Sequence, residues 1–273
     1  MCFRFMRRKQ AKLPVSKQLS PATHERELET GGNPTYLLEY WNWENVGTMR
    51  TLITLCFLMG FASCALAPRQ TGGDILVIGD SVMAWNGFSG GDIGSVVGAE
   101  LEREVVSRAT LGARIRAGGI GTLGGLSIPA QLSTGSWKWI VMNGGANDLG
   151  FSCKCTRCDA EIDLLISRDG ATGAIPDLIT KATRQQAKVL WVGYYQTPNS
   201  RSFRGCRPGL VELERRIANF ALTKDDVFFI DSEDVLKPTK PELFAPDRTH
   251  PSATGSTVIG RFVAQEITRR TQF

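Results

Sequence analysis

The run Ile75-Leu76-Val77-Ile78 is apolar without a break and stops at Gly79-Asp80-Ser81. A strand with one wet face alternates polar and apolar residues; one with no polar position is buried on both faces. That pattern belongs to parallel sheets covered by helices on each side. Runs of strand length recur at Val105–Ala109, Trp139–Met142, Val189–Tyr194 and Val227–Ile230. Between and after them, Ile93–Leu101, Ala160–Ser167, Pro176–Gln186, Leu210–Ala221 and Ala253–Arg269 carry apolar residues at helical intervals. In the fourth of these, Leu210, Leu213, Ile217 and Phe220 share a face, leaving Glu212, Glu214, Arg215 and Arg216 toward water. In the last, Val258, Phe262, Val263 and Ile267 form the expected buried stripe. Strands alternating with helices define an α/β domain with a parallel sheet, over residues 72–273.

The preceding residues read differently. Residues 1–48 are a polar extension, either disordered or upstream of a true start at Met49. Residues 49–67 read as a signal peptide or a signal anchor. The apolar stretch Leu52–Ala67 is shorter than the roughly 20 residues a membrane span needs. Arg50 precedes it, and Ala65-Leu66-Ala67 has the small-x-small pattern of a cleavage site, although Pro68 follows. If the extension is genuine, Arg7, Arg8 and Lys9 favour an anchor with a cytoplasmic tail. Phe61-Ala62-Ser63-Cys64 resembles a lipobox, so Cys64, or residues 52–67 themselves, could tether the protein to a membrane. These readings place the domain in the periplasm or outside the cell, secreted or membrane-anchored. Residues 1–64 hold 8 Lys/Arg against 5 Asp/Glu, so most of the chain's net charge of +5 lies outside the domain. A near-neutral domain with no basic stripe interleaved with aromatics gives no nucleic-acid footprint.

Four of the seven cysteines, Cys153, Cys155, Cys158 and Cys206, fall in the domain. In an exported chain they read as two disulfides, of undetermined connectivity. The rival is a four-thiolate zinc site, which lacks here the paired Cys-x-x-Cys knuckles of common zinc folds. Disulfides are the preferred expectation, with no metal.

Several motifs bear on chemistry. Gly119–Gly124 matches G-x-G-x-x-G, but it does not leave the first strand and no acidic residue follows at the ribose-binding distance. Gly87–Gly91 matches G-x-S-x-G, but Ser89 lies beyond the strand-to-helix turn that such an elbow needs. Ser81 is better placed, at the carboxyl end of the first strand, where open parallel sheets bind ligands. The chain has two histidines, and His24 lies in the polar extension, so His250 is the one candidate base for Ser81. Asp247, three residues earlier, can reach the imidazole Nδ1–H and fix the tautomer in which Nε2 accepts a proton. After the third strand, Asn143-Gly144-Gly145-Ala146-Asn147-Asp148 places Asn147 where its carboxamide can donate to an oxyanion.

Gly79-Asp80-Ser81, Gly112, Gly145-x-Asn147-Asp148 and Asp247-x-x-His250 resemble, in order and spacing, the blocks of the SGNH (GDSL-type) hydrolase family. The resemblance spans residues 75–251. It departs at Val82, where Leu is usual, and in the loose second block Ala109–Gly112. It implies a three-layer α/β/α sandwich with a five-stranded parallel sheet, flavodoxin-like in arrangement. It also implies a Ser81, His250 and Asp247 triad, and an oxyanion hole from the N–H groups of Ser81 and Gly112 with the Asn147 side chain. The implied activity is hydrolysis of carboxylic esters without cofactor, on a small-molecule, glycan or lipid ester. An esterase for small or carbohydrate-linked acyl groups, a lysophospholipase or thioesterase, and a non-catalytic binding domain are all open. An apolar acyl cleft could be lined by Trp85, Phe88 and Leu123. The segment Phe151–Cys158, directly after Asn147-Asp148, is expected to rim the site.

Overall fold

In a computed structural model the described residues are 73–198 and 200–271. The extension 1–48 with His24, the apolar segment 49–67 with Cys64, and the linker up to Gly72 lie outside them. Five strands, β1 (Ile75–Ile78), β2 (Val105–Ser107), β3 (Trp139–Met142), β4 (Lys188–Gly193) and β5 (Val227–Asp231), form one sheet. The helices in chain order are α1 (Ser81–Ala84), α2 (Ile93–Leu101), α3 (Ile120–Leu123), α4 (Ile128–Gln131) and α5 (Ala146–Ser152). They continue with α6 (Asp159–Leu165), α7 (Ala174–Thr183), α8 (Arg207–Ala221) and α9 (Ala253–Thr271).

All strand pairs are parallel, in the order β2-β1-β3-β4-β5. The register sets Ile75 opposite both Val105 and Trp139, and Val189 opposite Val227. This is the flavodoxin-like order, with its switch point between β1 and β3. Right-handed crossovers explain the layers. The β1-to-β2 connection runs one way along the sheet, the β3-to-β4 and β4-to-β5 connections the other, so α2 lies on one face and α7 and α8 on the opposite one. The closing helix α9 packs on α2. All four residues of β1 and of β3 are buried, as their unbroken apolar runs require.

Two helix faces differ from the sequence expectation. On α8, Glu214 and Arg216 are buried rather than solvated. Arg216 is held by Glu212 (2.7 Å), by Asp163 (2.6 Å) and by the carbonyl of Ile166 (2.9 Å), so its charge is matched where it is sealed. Glu214 accepts the backbone N–H of Tyr194, just past the end of β4. On α9 the buried line runs through Ile259, Val263 and Ile267, with Val258 and Phe262 at its partly covered edge. Gly260 belongs to that line because a side chain there would meet Val96 of α2 at 2.6 Å.

The four domain cysteines form Cys153–Cys158 and Cys155–Cys206, leaving no thiolate for a metal. Among the described residues no cluster of His, Cys, Asp and Glu is arranged to hold a metal, and no helix is long and apolar enough to cross a membrane. The second bridge joins residues 51 apart, a loop whose closure is worth about 4 kcal/mol on chain-entropy grounds.

Burial pushes the Glu214 carboxyl up from its ordinary 4.5 to about 8, against the opposing Tyr194 N–H. Between those values the folded protein holds a proton that the unfolded chain releases. The stability linked to Glu214 is therefore complete below pH 4.5 and lost as pH rises through about 8. Urea unfolding near pH 5 and near pH 9 should show a loss on the order of a few kcal/mol beyond that of Glu214→Gln. Equal losses in the two proteins would contradict the assignment.

Candidate active site

The strand β1 ends because residue 79 must be glycine. Gly79 has φ +150, and a Cβ there would collide with Asn143 Oδ1. Its backbone is gripped on both sides by one carboxamide: Gly79 N donates to Gln131 Oε1 (2.7 Å), and Gln131 Nε2 donates to Gly79 O (3.0 Å). Asp80 follows in extended conformation and caps α1, accepting from Val82 N at 2.9 Å. Ser81 is the first residue of α1, and its N–H has no acceptor among the described residues.

Asp80 is 1% exposed, and its carboxylate is fully engaged. Oδ1 accepts from Val82 N and from Asn143 Nδ2 (3.0 Å), while Oδ2 accepts from the Tyr194 hydroxyl at 2.5 Å. Asp80 N in turn donates to Asn143 Oδ1 at 3.0 Å. Burial raises its carboxyl above the ordinary value, opposed by the Tyr194, Val82 and Asn143 donors. The Tyr194 hydroxyl is held protonated, by its own burial first and by Asp80 beside it.

The loop before α9 brings His250 to Ser81. His250 Nε2 lies 2.8 Å from Ser81 Oγ, and its Nδ1 lies 2.5 Å from Asp247 Oδ2. The other carboxylate oxygen of Asp247 accepts from the N–H groups of Thr249 (2.9 Å) and His250 (3.0 Å). One carboxylate thus shapes the turn and orients the ring. Partial burial opposes ionisation of Asp247, but the backbone and imidazole donors outweigh it and hold its carboxyl below the ordinary range. Trp85 stacks on His250, ring centroids 3.8 Å apart and planes 5° from parallel, fixing the ring across one face. A cationic imidazole gains further from that aromatic face.

Gly112, in the loop after β2, and Asn147, in the first turn of α5 after β3, reach the same end of the sheet. Gly112 has φ +75 with open space about its Cα, and its N–H has no acceptor among the described residues. Asn147 Nδ2 donates one hydrogen to the carbonyl of Ala113 (3.0 Å), which ties it to the residue after Gly112. Asp148 secures the same loop, accepting from Ile115 N (3.0 Å) and Arg116 N (2.8 Å). Burial raises its carboxyl to about 6. Tyr194 OH accepts from Ala146 N at 3.2 Å, so one hydroxyl joins the start of α5 to Asp80.

A cavity of about 320 Å³ opens beside Ser81 and His250. Its apolar wall comes from Tyr194, Tyr195, Phe203 and Leu210, not from the residues proposed from sequence. Trp85 is committed to His250, Phe88 stands in solvent, and the Leu123 side chain lies outside what the structure describes. The cysteine-rich segment reaches the cavity indirectly, through the Cys155–Cys206 bond, since Phe203, Arg204 and Gly205 form the wall just before Cys206. Ser89 donates to the Asn86 carbonyl in an exposed turn, and Gly119–Gly124 lies in and around the short helix α3, so neither motif joins the site. Gln131, Asn143 and Tyr194 are the site residues that pattern reading missed, and Trp85 was given a different place. Only Asn143, next to a glycine pair at a strand end, carried any local signal.

Residues 77–258 match the GDSL-like Lipase/Acylhydrolase family. An acetyl-xylooligosaccharide esterase from Geobacillus Stearmophilus, solved as a mutant, aligns at 20% identity over 72% of this chain and 94% of its own, with a TM-score of 0.51. An aryl esterase from M. Smegmatis aligns at 17% over 71% and 98%, with a TM-score of 0.51. A structure from Streptococcus pneumonia aligns at 14% over 73% and 86%, with a TM-score of 0.52. No curated protein sequence matches the chain. At these identities the solved structures establish the fold, that of the SGNH hydrolases.

Tyr194→Phe deletes the one hydroxyl shared by Asp80 and Ala146 without opening a cavity. Labelling of Ser81 by a fluorophosphonate should slow by about tenfold or more in the folded variant, the cost of one buried hydrogen bond to a charged group. An unchanged labelling rate would show that the hydroxyl does not position the serine.

Proposed function

The chain belongs to the GDSL-like lipase/acylhydrolase family of carboxylic ester hydrolases, and from that premise we propose an exported esterase acting on small or carbohydrate-linked acyl groups. The observation that carries the reading is the unbroken line Asp247 Oδ2, His250, Ser81 Oγ, with separations of 2.5 and 2.8 Å. Ser81 Oγ attacks the ester carbonyl while its proton passes to His250 Nε2. The negative charge moves to the carbonyl oxygen, which the N–H groups of Ser81 and Gly112 and the second Asn147 Nδ2 hydrogen receive. Each donor is worth roughly 3–4 kcal/mol in the barrier. His250 then gives the proton to the departing alkoxide as the C–O bond breaks, leaving Ser81 acylated. Water then attacks the acyl carbon as its proton passes to His250, and His250 returns that proton to Ser81 Oγ as the C–Oγ bond breaks and the acid leaves. Asp247, held ionised by its N–H donors, stabilises the imidazolium at both stages.

The cavity volume supports a compact acyl or sugar group, being at the small end of ligand sites. The fold likeness to an acetyl-xylooligosaccharide esterase is in keeping with this. Two disulfides support an oxidising compartment, and hence export.

The full-length protein should hydrolyse p-nitrophenyl esters fastest at acetate to butyrate, falling toward decanoate. Ser81→Ala should lower kcat by at least about a thousandfold. Activity retained in that variant would refute the nucleophile, and a rate rising toward decanoate would replace the short-acyl reading with a lipid one.

A further inference from the structure

Two arginines stand in the cavity wall beside Ser81, and neither serves the reaction described above. Arg204 is exposed at the rim and forms no ion pair among the described residues. Arg207, at the start of α8, gives one Nη to Glu233, with Glu214 and Asp231 within electrostatic reach. That pair leaves its side chain 36% exposed, in the lining of the cavity. The one carboxylate in the lining, Asp80, accepts from Tyr194, Asn143 and Val82 and does not pair with either arginine. The wall carrying the arginines is fixed: Cys206, between them, is bonded to Cys155, and its N–H closes a turn onto the carbonyl of Phe203 at 3.1 Å. The backbone that carries them therefore need not reorganise on binding a ligand.

We propose that this cavity is an anion subsite, and that the ester cleaved at Ser81 carries a carboxylate or phosphate seated against Arg204 and Arg207. The inference rests on the esterase reading and adds the charge of the substrate to it. The neutral hydroxyls nearby, Ser200 Oγ and Thr249 Oγ1, are occupied with each other at 2.6 Å, so charge selection falls to the arginines. Their planar forks suit an oxyanion better than a neutral sugar hydroxyl.

The test compares kcat/KM of the full-length protein on matched ester pairs. For an anion on the acyl half, the pair is p-nitrophenyl hydrogen glutarate and its methyl ester. For an anion on the alcohol half, it is p-acetoxybenzoate and its methyl ester. The charged member of at least one pair should lead by about tenfold, the usual scale for a charge-assisted contact, and the lead should shrink with added salt. Arg204→Gln should bring the ratio toward unity, Arg204→Lys should restore part of it, and Arg201→Gln, outside the cavity wall, should keep it. Parity or a neutral preference in both pairs, or a charged preference that survives Arg204→Gln, would overturn the anion subsite while leaving the esterase standing. Absence of Ser81-dependent turnover on all four esters would overturn the esterase reading and the subsite together.

Discussion

The carboxylate of Asp80 lies sealed at the end of β1 and accepts from three donors in three segments: Val82 N of α1, Asn143 after β3, and Tyr194 after β4. A buried carboxyl without partners is expensive enough to reorganise its surroundings, and one with both oxygens hydrogen-bonded locks them. Here the locked parts are the start of the helix bearing Ser81 and the ends of three adjacent strands. Because Tyr194 OH also receives Ala146 N, and Asn147 reaches Ala113 O, the same network extends to both remaining oxyanion candidates. Displacement of any one donor moves groups that must agree within a fraction of an ångström.

The fold makes this possible through its switch point. β1 and β3 are neighbours whose following segments diverge to opposite faces, leaving a crevice at their carboxyl ends. Into it project Ser81 from β1, Gly112 from beyond β2 and Asn147 from beyond β3. The His250 loop arrives from across the sheet, closed on itself by the bond from Ala245 N to His250 O at 2.8 Å. What lies beside this centre is set by a different device. The described residues between Tyr194 and Cys206 form no helix or strand, and the Cys155–Cys206 bond anchors their end. Ser81 and Asn147 thus sit at helix starts, Gly112, Asp247 and His250 on loops, and the neighbouring cavity wall on a disulfide-bound segment.

Much of this was legible in the sequence because it was local. The strands and most helices announced themselves by period, and β3 and α2 fell on the expected residues. Gly79-Asp80-Ser81 and Asp247-x-x-His250 each carry their geometry within four residues. The misreadings have one physical origin. Glu214 and Arg216 look like solvated positions of an amphipathic helix, but their partners, Tyr194 N, Asp163 and the Ile166 carbonyl, come from other elements. Gln131 grips Gly79 across 52 residues and Tyr194 reaches Asp80 across 114. No periodicity encodes a polar contact between distant segments. The cavity wall was misassigned for the same reason: Trp85 is near Ser81 in the chain but is spent on the face of His250, while Phe203 and Leu210, far along the chain, line the site.

The central claim is that Asp80 and Tyr194 hold Ser81 before an oxyanion hole completed by Gly112 and Asn147. A crystal structure of the full-length protein inactivated by a small alkyl phosphonate tests it directly. The account predicts phosphorus bonded to Ser81 Oγ, with its oxygen about 3 Å from Ser81 N, Gly112 N and Asn147 Nδ2 and the Tyr194 hydroxyl still on Asp80. Phosphorus on another side chain, or an oxygen turned away from those donors, would contradict it.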